Sequence, residues 1–66
     1  MTADHYVTRL WSHIPPDQRV ALSYEVGWRF TRDKQDTKTI AEILGYPEAT
    51  IYSALHAWRE RARRAA

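Results

Sequence analysis

The clearest alternation of apolar and polar positions lies in residues 37–58, TKTIAEILGYPEATIYSALHAW. Apolar residues stand at Ile40, Ile43 and Leu44, and beyond a break at Ile51, Ala54, Leu55 and Trp58. Each set follows i, i+3, i+4 spacing, so each predicts a short helix with one inward face. The break holds Gly45 and Pro47. A left-handed residue just past a helix end is least strained as glycine. Proline suits the first turn of a helix, where its missing N–H has no intrahelical acceptor. Ala41 is small where two crossing helices must approach. Asp36 is placed to cap the first helix by accepting from the N–H of Lys38 or Thr39. The second helix is predicted over about 47–63.

Upstream the pattern is less sharp. Residues 2–12 predict a short helix with Tyr6 and Leu10 on one stripe, joined by Val7 or Trp11, and capped by Thr2 or Asp4. His13-Ile14-Pro15-Pro16 breaks it, and Pro16 with Asp17 opens the next helix. That helix is predicted from Asp17 to about Phe30 or Arg32, with Gly27 inside it. Its apolar positions Val20, Ala21, Leu22, Tyr24, Val26, Trp28 and Phe30 are too dense for one narrow face. The expectation is therefore the most enclosed helix, packed on both helices of the 37–58 unit. Residues 33–36, DKQD, read as a polar turn.

These elements make one domain over residues 1–66, all-α, a compact three- to four-helix unit containing a helix-turn-helix and no wing. So short a chain has a limited core. It has no cysteine, so neither a disulfide nor a zinc thiolate can help. Three Trp, four Tyr and one Phe supply large apolar area. No apolar run approaches a membrane span, and MTADHYVTRL lacks the basic and apolar regions of a secretory signal. The expected location is cytoplasmic, in a bacterial or phage-encoded setting. Net charge is +2, but residues 1–27 carry −1 and residues 28–66 carry +3, so the basic excess falls with the 37–58 unit. That distribution suits a polyanion.

The run IAEILGYPEATIYSALHAWRERARRAA resembles the carboxy-terminal promoter-reading domain of bacterial sigma factors and the helix-turn-helix of phage Cro-type repressors. The likeness rests on Ala41, Gly45 and Ile51 at spacings of four and six, with apolar positions filled around them. IPPDQRVALSYEV also resembles the Leu-Pro-Pro-x-x-Arg opening of the sigma domain, although GWRFTRDKQDTKTI makes a longer link than that domain has. The resemblance implies a transcription regulator, repressor-like, from a phage or mobile element.

In such a motif the second helix lies in the major groove, where each base pair shows a distinct donor and acceptor pattern. With Ile51, Ala54, Leu55 and Trp58 inward, Glu48, Ala49, Tyr52, Ser53 and His56 are the candidate base contacts. Glu48 can accept from cytosine N4, Ala49 can touch a thymine methyl, and Tyr52, Ser53 and His56 can bond bases or phosphates. Thr37, Lys38, Thr39, Arg59 and Arg63 are the candidate phosphate contacts, with Arg29, Arg32 and Lys34 in reserve. Plainer readings compete with three of these: Glu48 as a partner of the helix dipole, Tyr52 as a cover for the core edge and His56 as simple surface exposure, while Arg61 and Arg64 are expected in solvent.

One module of this kind binds weakly, so a homodimer on a two-fold DNA site is expected, with Tyr6, Leu10 and Trp11, or Trp58, as candidate dimer contacts. The competing expectation is an adaptor or antiactivator that docks on RNA polymerase or another regulator. It follows from a recognition face with no Arg or Lys before Arg59. Catalysis is not expected. His5, His13 and His56 are scattered, no phosphate loop exists, and neither a metal nor a cofactor is implied.

Overall fold

The computed structural model describes residues 9–65. Among them are a single 3-10 turn, Trp11–His13, and three helices: α1, Pro16–Thr31; α2, Thr37–Leu44; and α3, Glu48–Ala65. No strand occurs among the described residues, so the all-α expectation holds.

Local chemistry sets the ends of each element. Asp36 accepts from the Thr39 N–H at 2.7 Å and starts α2. Gly45 ends α2 at φ 76°, ψ 32°. The N–H groups of Gly45 and Tyr46 both donate to the Ala41 carbonyl, at 2.9 and 3.1 Å, and close the last turn on that one acceptor. Pro47 stands one residue before α3, and its carbonyl accepts from Thr50 and Ile51. Lys34 closes the turn after α1 at φ 59°, a conformation that the DKQD composition does not announce.

The core is one cluster of Ile14, Leu22, Val26, Ile40, Ala41, Ile51, Ala54 and Leu55. Trp11, Phe30, Leu44, Tyr46 and Trp58 pack around it, each partly buried. The indole of Trp58 lies flat on the backbone of α1 at Gly27: a Cβ there would stand 2.4 Å from its ring. A glycine inside a helix weakens it, and here it is the condition for the close approach of α1 and α3.

Three expectations need correction. The helix predicted over 2–12 does not run to residue 12: Leu10 is extended and residues 11–13 form only the 3-10 turn. Its earlier part, with Thr2, Asp4, Tyr6 and Val7, lies outside the described residues. Second, α1 is not the enclosed helix its density suggested. Val20, Tyr24 and Trp28 are 39, 48 and 52 % exposed, because they turn progressively away from Leu22, Ser23, Val26 and Gly27: Val20 lies at the margin of that buried side and Trp28 stands opposite it. Third, Ile43 is exposed. The buried face of α2 is Ile40, Ala41 and Leu44, and at about 100° per residue Ile43 falls roughly 110° from its centre.

Two buried polar side chains hold the frame. The Thr50 hydroxyl donates to the Arg9 carbonyl at 2.7 Å. The Ser23 hydroxyl donates to the Val20 carbonyl and accepts from the Arg61 guanidinium.

Candidate nucleic-acid interface

The turn at residues 45–47 sets the start of α3 beside the start of α2, and the Thr37 hydroxyl donates to Glu48 Oε2 at 2.8 Å. One residue proposed for phosphate and one proposed for a base therefore hold each other. From Glu48 outward, helical phase lines up Glu48, Tyr52, His56, Arg59 and Arg63 on one stripe of α3 that runs beside the buried face of Ile51, Ala54 and Leu55, with Glu48 and Arg59 nearest its Leu55 edge. Glu48, Ala49, Tyr52, His56, Arg59 and Arg63 are all exposed. Ser53, at the margin, is half-buried, and its hydroxyl donates to the Ala49 carbonyl at 3.2 Å. The stripe extends about 22 Å at 1.5 Å per residue. It begins acidic and aromatic and ends basic.

The proposed phosphate contacts differ in how far they are already engaged. Lys38 is exposed at the start of α2. The Thr39 N–H serves the Asp36 cap, and that cap is a carboxylate held below its ordinary range, first by hydrogen bonding to the Thr39 side chain and then to its backbone. Arg59 lies over the Phe30 ring, 5.4 Å from its centroid. Arg63 pairs with Glu60 on the same helix. Of the reserve cations, Arg29 pairs with Glu25 at 3.0 Å and Arg32 lies over Trp28 at 5.1 Å, both on the α1 side.

The proposed dimer contacts are Tyr6, Leu10 and Trp11, with Trp58 as the alternative. Tyr6 lies outside the described residues. Leu10 is 38 % exposed. Trp11 is half-buried on the core, with the Arg19 guanidinium 5.9 Å from its ring centroid. Trp58 is taken up by Gly27.

Two residues near the interface escape a reading of the sequence alone. Arg9 lies over Tyr46 of the turn at 5.2 Å, and its carbonyl takes the Thr50 hydroxyl. No periodicity reaches so far from the motif, and only an aromatic in the turn hints at a cation there. Arg61, expected in solvent, instead lies over Tyr24 at 5.7 Å and reaches Ser23. Its phase, seven residues after Ala54, is the signal that could have placed it.

Among the described residues no group of three or more His, Asp or Glu side chains could hold a metal ion, and no helix is long and apolar enough to cross a membrane. No family model, no curated protein and no solved structure matches the chain. The likeness to sigma and Cro-type domains therefore rests on the residues that carry it.

Proposed function

We propose that the chain is a sequence-specific double-stranded DNA-binding transcription regulator, repressor-like, that docks α3 in the major groove. The observation that supports this most is the outward stripe of α3: Glu48, Ala49, Tyr52 and His56 lead into Arg59 and Arg63, beside a turn that brings Lys38 to the same end of the molecule. The N-terminal residues of the stripe meet base edges, and its arginines with Lys38 meet phosphate oxygens. Glu48 already accepts from Thr37, so contact with a cytosine amino group exchanges one donor for another. Two copies on a two-fold site supply the affinity that one module lacks. The setting that goes with this reading is bacterial or phage cytoplasm. No catalytic step and no cofactor belong to it.

Binding to random duplex measured against salt tests the reading. With four to six phosphates neutralised, log K falls against log salt with a slope of about −4 to −5. Lys38→Ala combined with Arg59→Ala weakens all duplexes about equally and flattens the slope by about 2. An affinity unchanged by that double substitution removes these residues from the phosphate contact.

A second reading has its own support. Ile43 and Tyr52 are 52 and 57 % exposed on the two helices that flank the turn, and no cation precedes Arg59 on the stripe. Such a surface suits a protein partner, RNA polymerase or another regulator. It entails little association with duplex even at low salt, which separates it from the first reading.

A further inference from the structure

The face of α1 turned away from the core is a second surface. Tyr24, Trp28 and the small Ala21 lie along it, with Val20 at its margin. A groove of about 420 Å³ runs beside Ala21, Tyr24 and Trp28. Both rings stay about half exposed, Tyr24 with Trp58, Ala62 and Ala65 along one edge, and the guanidinium groups of Arg61 and Arg32 lie over Tyr24 and Trp28. Asp17, Glu25 and Asp33 border the face against Arg29, Arg32 and Arg61, so the charges balance. A balanced face offers a polyanion no net attraction, unlike the basic end of α3.

The charges are also ordered. Asp17 stands at the start of α1 and Arg32 directly after its end. We infer that this face binds a second copy of itself, the two α1 helices antiparallel about a two-fold axis at Tyr24. In that arrangement Asp17 of each copy faces the Thr31–Arg32 end of the other, so one attraction occurs twice. Val20 and Ala21 of each copy face Trp28 of the other, and the groove beside Ala21 receives the indole. The half-exposed Tyr24 and Trp28 of two copies together contribute on the order of 400 Å² of buried surface. With Val20, Ala21 and the arginine stems this reaches the low end of protein interfaces. The dimer is accordingly weak, with a Kd on the order of 10–100 µM.

This contact supplies the pairing that the DNA-binding reading calls for, but it stands on its own observations. Its test contains no DNA, so either idea can fail alone. Sedimentation equilibrium of the full chain over a range of concentration shows an average mass rising from 7.8 kDa toward twice that value. Asp17→Arg places like charges opposite each other at both ends and weakens association about tenfold; Arg32→Asp does the same with the opposite sign. An equimolar mixture of the two variants restores opposite charges at both ends and recovers wild-type association. Circular dichroism of each variant verifies its helix content. Trp28→Ala abolishes association. A wild-type chain that stays at 7.8 kDa throughout overturns the inference. So do charge variants that associate like wild type, and a mixture that recovers nothing.

Discussion

Gly27 and Trp58 form a tight joint between α1 and α3. No side chain fits between the α1 backbone and the indole, since a Cβ would stand within 2.4–2.5 Å of three ring carbons. Gly27→Ala is expected to destabilise the protein by about 3 kcal/mol, through overpacking at a wall that cannot retreat. In a Trp58→Ala background the same change is expected to be neutral or to stabilise by up to about 1 kcal/mol, because only the helix preference of alanine remains. Thermal unfolding of the four proteins of this cycle measures the coupling. Asp36 makes a different kind of prediction. Its carboxyl is depressed in the folded chain by the Thr39 side chain and backbone. Its contribution is therefore present above the ordinary carboxylate pKa and is lost as pH falls through the lower folded value. Asp36→Ala is expected to lower Tm at neutral pH and to match the wild type below that window. A difference that persists unchanged in strong acid would contradict the capping role.

At the scale of elements, two left-handed turn residues set opposite expectations. Gly45 is at φ 76°, and a Cβ added there would meet nothing nearer than Arg9 Nη1 at 3.8 Å, so space is not at issue and strain alone decides. Gly45→Ala is expected to destabilise by about 1–2 kcal/mol. Lys34 is at φ 59° without the freedom of glycine. Lys34→Gly is expected to stabilise by up to about 1 kcal/mol, which raises Tm by several degrees in a chain this small. Denaturant unfolding of both variants checks the signs.

The helix pair is the legible part of the chain. Asp36, Gly45 and Pro47 each act through the backbone of their immediate neighbours, so their chemistry is visible in a few consecutive residues. The faces are less so. Ile43 matches the inward spacing and still points outward, because an eight-residue helix has too few turns to define the centre of its buried stripe. In α1 the apolar residues run around the helix, and packing against the other helices, with Leu22 and Val26 in the core and Gly27 against Trp58, decides which side is covered. The reach of Arg61 to Ser23 joins residues 38 apart, a contact that no local pattern encodes. Likewise, helical phase puts Thr37 on the side of Ile40, Ala41 and Leu44 and Glu48 on the α3 stripe, but the bond between them depends on how the turn brings two helix starts together.

The whole molecule presents two unlike surfaces. One is the α3 stripe, acidic and aromatic at its start and basic at its end; the other is the charge-balanced aromatic face of α1. Under the proposed function and the inferred dimer, the first would meet a polyanion and the second another copy of the chain. Few groups tie the parts together, so the joints at Gly27 and Thr50 matter more than they would in a larger core. Titration of a short duplex into isotope-labelled protein, followed by backbone amide chemical shifts, tests the central assignment most directly. The expected result is movement of Lys38, Ala49, Tyr52, Ser53, His56 and Arg59 at low salt, fading as salt rises. Shifts confined to the α1 face, or none anywhere on α3, would contradict it.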